Sequence, residues 1–117
     1  MFPSIEDSEA LFGTSDIGEI CDHFLGAGVE MVVLTLAEKG AVIATGDTHI
    51  SIDVFPADLK DATGAGDTFD GAFLAEYSRS SDAVKAARFA CAAASLSVET
   101  VGVVASIPAE GAILARI

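Results

Sequence analysis

The chain has 117 residues, 51% of them hydrophobic, which supplies one core and rules out the low hydrophobicity of disordered segments. Six Lys and Arg stand against 18 Asp and Glu, a formal charge of -12. That balance excludes the basic surfaces that nucleic acids and anionic membranes require.

The N-terminal run "MFPSIEDSEA" has neither a basic n-region nor an apolar h-region, so no signal peptide is read there. Met1-Phe2 reads instead as the end of a strand that begins further upstream. "IEDSEALFG" predicts a short helix with Ile5, Leu11 and Phe12 on one face and Gly13 as its stop. In "TSDIGEICDHFLGAG", Asp16 is an N-cap with Glu19 three residues on. Ile17, Ile20, Cys21, Phe24 and Leu25 follow as one apolar stripe, ended by Gly26 and Gly28. The β-branched run Val29–Leu36 predicts a buried strand. "AEKG" is a turn, and "AVIAT" and "HISIDVF" form a hairpin about Gly46-Asp47.

From Asp67, "DTFDGAFLAEYSRS" predicts a helix on which Phe73 and Tyr77 pack together. Ser81 is read as the cap of the next, alanine-rich helix, "DAVKAARFACAAASLSVET", whose small residues suit close packing. "GVVASIP" is a loop and "AEGAILARI" a last short helix. Helices flanking a central strand predict an α/β layered fold. The visible sheet is small enough that it is expected to continue in further strands. No apolar run approaches the roughly 20 residues of a membrane helix. Cys21 and Cys91 form no CxxC and read as reduced core thiols of a cytoplasmic protein. His23, His49, Asp58, Lys60 and Asp70 read as surface residues.

The chemistry concentrates in "DATGAGDTFDGAF", Asp61 to Phe73. It is not a dinucleotide fingerprint, because the GxGxxG spacing fails. Nor is it a P-loop, because Ala72 stands where the lysine belongs. Gly64, Ala65 and Gly66 instead let main-chain N–H groups point inward at a helix N-terminus, where partial positive charge and unpaired donors hold an anion. Asp67, fixed beside that anion hole, suits a general base that takes a proton from an attacking hydroxyl. Together these parts imply phosphoryl transfer to an alcohol. The plainer alternative is an ordinary helix cap on an ordinary tight turn.

The run resembles the signature of the ribokinase-like (PfkB) carbohydrate kinases, D-T-x-G-A-G-D-x-F-x-G. Asp61, Thr63, Gly64, Ala65, Gly66, Asp67, Phe69 and Gly71 match, and Ala62 replaces a common Thr. The resemblance implies Asp67 as catalytic base and Gly64–Asp67 as the anion hole for a γ-phosphate. "VVLTLAEKGAVI" resembles the family's T-x-G-x-x-G segment near the ATP phosphates: Thr35 and Gly40 match and Ala37 replaces the Gly. "VETVGVVASIP" resembles its G-A-x-x-S-x-P loop, with Gly102, Ser106 and Pro108 matching and Val103 departing. Asp61, Thr63, Gly102 and Ser106 match the positions that hold a monovalent cation, K+, in relatives that use one.

"FPSIEDSEALFG" replaces the family's P-N-x-x-E stretch. Ser4 stands for the Asn, and Asp7 for the Glu that organises magnesium through water. The P-S-x-x-D form is similar to 2-keto-3-deoxygluconate kinases. Fructose, ribose and nucleosides are the alternative substrates.

The resemblance therefore implies that residues 1–117 form the C-terminal, nucleotide-side segment of a ribokinase-like three-layer (α/β/α) Rossmann-like fold. The half carrying most sugar contacts, and the lid that forms homodimers, would lie upstream. The implied activity is ATP- and Mg2+-dependent phosphorylation of a sugar or sugar-acid hydroxyl, with the segment alone expected to be incomplete. A non-catalytic nucleotide-binding module and a structural remnant are the other readings.

Overall fold

The computed structural model describes residues 1–117 and divides into two compact units, Met1–Ile52 and Asp53–Ile117. The first holds helices α1 (Ile5–Phe12) and α2 (Ile17–Gly26) and strands β1 (Val32–Thr35), β2 (Ala41–Ala44) and β3 (His49–Ile52). A 3-10 turn, Ala37–Lys39, links β1 to β2. The second holds helices α3 (Ala65–Ser80), α4 (Ala83–Ser97) and α5 (Glu110–Arg116). No helix is long and apolar enough to cross a membrane.

In the first unit, the predicted Gly13 stop and Asp16 cap both form, and Ser4 adds a cap to α1 beyond those expected. Ser4 Oγ accepts from the Asp7 N–H at 3.1 Å, and Gly13 adopts φ 69° to close α1. Asp16 caps α2 by accepting from the Glu19 N–H at 2.9 Å. Glu19 does not complete the reciprocal capping box; its Oε2 accepts from the Thr14 hydroxyl at 2.8 Å instead. Ile20, Cys21 and Phe24 pack on Val32, Leu34, Val42 and Ala44, with Ile5 and Phe12 of α1 at the margin. Leu11 departs from the expected stripe: it is 69% exposed, and Ser8 takes the buried position by donating its hydroxyl to Ser4 O.

The strands run antiparallel in the order β1-β2-β3, with Val33 opposite Ile43 and Val42 opposite Ser51. β1 is shorter than the expected Val29–Leu36. The Val29 N–H still turns back to Phe24 O, and the Leu36 N–H closes the turn onto Gly40 O. On its other side, β1 pairs in parallel with residues 1–4: the Val33 N–H donates to Met1 O at 2.8 Å and the Thr35 N–H to Pro3 O at 3.0 Å. Residues 1–4 thus lie beside β1 through these bonds and an isolated parallel bridge at Ser4–Thr35, and form no strand of their own.

In the second unit, Asp82 and not Ser81 caps α4, accepting from the Lys85 N–H at 3.0 Å. Ser81 takes φ 54° and closes α3. Both residue types cap well, so which one did so depended on where the chain reversed. The alanines bring the backbone of α4 close to its neighbours: Ala86, Ala87, Ala90, Ala92 and Ala93 are fully buried. Phe89, Ala92, Ala93 and Ile113 form its core with Phe55, Ala72 and Leu96. Phe69, Phe73 and Tyr77 stack in sequence along α3. Cys21 and Cys91 are buried free thiols, and burial pushes both above the ordinary thiol range, Cys91 to about 11, which keeps them in the protonated thiol form at neutral pH.

Candidate active site

In the second unit, the segment from Asp61 to Asp67 enters α3 through Gly64, whose φ of 81° is left-handed. A β-carbon at this position would lie 3.1 Å from Val103 Cγ1, so both the backbone and the space call for glycine. The buried rings of Phe69 and Phe73 fix which face of α3 turns inward, and Asp67 in the first turn is exposed.

Main-chain donors at this helix start are unequally engaged. The Ala65 N–H donates to Ala62 O at 3.2 Å and the Thr68 N–H to Gly64 O at 2.9 Å. The Gly66 and Asp67 N–H groups are left as the free donors of the first turn. An anion placed at this helix start would meet the Gly66 and Asp67 N–H groups, while the Ala65 N–H is spent on the turn.

Asp70, one turn on, is half-buried and not the fully solvated residue its polarity predicts. Burial pushes its carboxyl above the ordinary value, and the Asp67 charge pushes it further.

Asp61 organises the loop. Its Oδ1 accepts from the Thr63 N–H at 2.9 Å and its Oδ2 from the Gly102 N–H at 3.0 Å. The Gly102 bond, then those to Thr63, hold its carboxyl down to about 2. Three of the four positions associated with a monovalent cation are thus in direct contact. The fourth, Ser106, is buried in the same loop and donates to Val103 O at 2.8 Å. An ionised carboxylate has about four lone-pair positions, so Asp61 keeps capacity for a cation beyond its two N–H donors. These residues fit such an ion.

In the first unit, Thr35 ends β1, with its hydroxyl 3.4 Å from Pro3 O. Ala37 takes φ 54° and Gly40 φ 93°, so a methyl sits on a left-handed backbone where the related segment has glycine. Asp7 is exposed in the first turn of α1. No three His, Cys, Asp or Glu side chains gather around a point.

Sequence reasoning missed what holds the Asp61 loop in place. Val98 O accepts from both the Lys60 N–H at 2.7 Å and the Asp61 N–H at 3.0 Å. Glu99 Oε2 accepts from the Asp58 N–H at 3.1 Å, and Glu99 Oε1 pairs with Arg116 at 2.8 Å. These partners are 41 and 17 residues apart, and no local pattern marks them.

Residues 1–110 match the family described as pfkB family carbohydrate kinase. The nucleoside kinase of Methanothermobacter thermautotrophicus is 36% identical over 92% of this chain and 37% of its own length. The structure of Arabidopsis thaliana ribokinase complexed with ribose and ATP matches at TM-score 0.91 and 30% identity, over 98% of this chain and 39% of that one. A fructokinase double mutant from Vibrio cholerae O395, in fructose, ADP and potassium ion bound form, matches at TM-score 0.90 and 28% identity over the same shares. The chain spans well under half of the curated relatives it matches, from 17% to 37% in four of them. The fold is the ribokinase-like α/β fold. With residues 1–110 of its 117 matched, the chain belongs to the pfkB family of carbohydrate kinases.

Proposed function

We propose that this chain supplies the nucleotide-side and catalytic-base part of an ATP-dependent kinase acting on a sugar or sugar-acid hydroxyl. The observation that carries the reading is an exposed Asp67 in the same helical turn as the free Gly66 and Asp67 N–H donors. ATP, with magnesium on its phosphates, supplies the phosphoryl group. Asp67 takes the hydroxyl proton as the new O–P bond forms and the bond to the ADP oxygen breaks. The N–H donors face the negative charge on the transferring group, and they are oriented before it arrives.

The names of the relatives, spanning nucleoside, ribose and fructose kinases, support the reaction class. The P-S-x-x-D stretch at Pro3–Asp7 favours 2-keto-3-deoxygluconate as the first substrate to assay. Thr35, Ala37 and Gly40 serve the nucleotide in this reading, Asp7 serves magnesium through water, and Asp61, Thr63, Gly102 and Ser106 serve potassium.

The test is Asp67→Asn in the complete open reading frame that encodes this segment. Binding of Mg-ATP is expected to persist while turnover falls by about 10²–10⁴, the usual share of a general base. Undiminished turnover would remove Asp67 from the role. A non-catalytic nucleotide-binding module would instead bind Mg-ATP and turn over no member of a sugar, sugar-acid and nucleoside panel in either form.

A further inference from the structure

The loop that leads into the α3 N-terminus is fastened at its base by groups that lie outside the signature run. The Asp58 N–H donates to Glu99 Oε2 at 3.1 Å. Two residues on, the Lys60 and Asp61 N–H groups converge on Val98 O at 2.7 and 3.0 Å, next to Glu99 in sequence. Glu99 is itself held from α5, where Arg116 Nη2 meets its Oε1 at 2.8 Å and Arg116 Nη1 meets Ser95 Oγ at 3.2 Å. Both side chains of the pair are about three-quarters covered, at 25% and 28% exposure, so solvent screens them less than a surface pair. The Arg116 guanidinium, then the Asp58 N–H, hold the Glu99 carboxyl below its ordinary value.

We infer that Arg116 and Glu99 act as a clamp that positions the Asp58–Thr63 loop and, through Asp61, the Gly64–Asp67 helix start. The chain of contacts is continuous. Arg116 orients the Glu99 carboxylate; Glu99 and Val98 O anchor Asp58, Lys60 and Asp61; and the Asp61 carboxylate binds the Thr63 and Gly102 N–H groups on either side of the Gly64 turn. A guanidinium suits this role because its planar fork engages Glu99 and Ser95 together and so fixes an orientation that a lysine ammonium does not. Arg116 and Glu99 are positioning residues. Their effect on turnover rests on the kinase reading, whereas their effect on the loop does not.

The test is amide hydrogen exchange on the 117-residue chain, read residue by residue. Glu99→Ala is expected to speed exchange at Asp58, Lys60, Asp61 and Thr63 by about tenfold, the effect of losing a charge-assisted hydrogen bond, while Ala87 and Ala90 inside α4 are unchanged. Arg116→Gln is expected to do the same at a distance, and Arg116→Lys to restore part of the protection. Exchange that rises only at Asp58, or that rises equally in the loop and in α4, overturns the clamp. Asp67→Asn is expected to leave these exchange rates at the parent values, so loss of the catalytic reading and loss of the clamp are separately visible.

Discussion

The Gly102 N–H donates to Asp61 Oδ2 across 3.0 Å, joining two loops 41 residues apart in sequence. With the Thr63 N–H on its other oxygen, the Asp61 carboxylate is favoured in its charged form, and its pKa falls to about 2. A carboxyl held below its ordinary value stabilises the fold fully at pH values above that ordinary range. The contribution is lost as pH falls from about 4 toward about 2, where the folded-state group takes its proton. Asp61→Asn is therefore expected to lower thermal stability at pH 7 and to flatten the stability curve between those two pH values. Unfolding curves of both proteins across that window check it, and an unchanged slope refutes the assignment.

Gly64 faces two separate penalties on substitution. Its φ of 81° disfavours any side chain, and a β-carbon would lie 3.1 Å from Val103 Cγ1. Gly64→Ala is expected to destabilise the chain by about 1–3 kcal/mol, combining left-handed strain with overpacking. Adding Val103→Ala removes the overlap and leaves the backbone strain, so the double variant should recover only part of the loss. Denaturant midpoints of the single and double variants separate the two costs; full recovery would mean that the left-handed turn is not held.

What the sequence made legible was local. Asp16 and Glu19, Gly13, and the stacked Phe73 and Tyr77 lie within four residues of their partners, so helical period and cap chemistry identify them. The turn into α3 was equally readable, because a tight reversal with left-handed φ calls for glycine at Gly64. The unread features depended on distance or on neighbouring equivalents. Nothing near Asp58 points to Glu99, and Val103 meets Gly64 only after the chain has folded. Ser81 and Asp82 are adjacent cap formers, and the backbone reversal at Ser81 decided between them. The Ala65 N–H reads as a free donor until the turn brings Ala62 O within 3.2 Å.

Ala37 carries a side chain at φ 54°, a conformation that costs an L-residue about 1–2 kcal/mol. Glycine removes that cost and returns part of it as unfolded-chain entropy. Ala37→Gly is expected to stabilise the chain by about 0.5–1 kcal/mol. Under the kinase reading it also tightens Mg-ATP binding, because the methyl no longer projects from the turn. Thermal unfolding and nucleotide titration of the variant check the two effects independently.

Glu76 and Glu110 share one arginine but should not matter equally. Arg79 Nη2 meets Glu76 Oε2 and Arg79 Nη1 meets Glu110 Oε1, both at 2.6 Å, while Lys85 approaches Glu76 Oε1 at 3.3 Å. The Glu76 side chain is 7% exposed and that of Glu110 is 56% exposed. Burial pushes the Glu76 carboxyl up, but the hydrogen bonds and charges of Arg79 and Lys85 outweigh it and hold the group below its ordinary value. Glu110→Gln is expected to cost at most about 1 kcal/mol, as for exposed pairs, and its effect should vanish in 1 M salt, where the screening length is about 3 Å. Glu76→Gln removes the only charge shared by two cations on a covered face, so it should lower the melting temperature further and keep most of its effect in salt. Equal losses in the two variants, or a Glu76 effect abolished by salt, would show that the covered position of Glu76 carries no special weight.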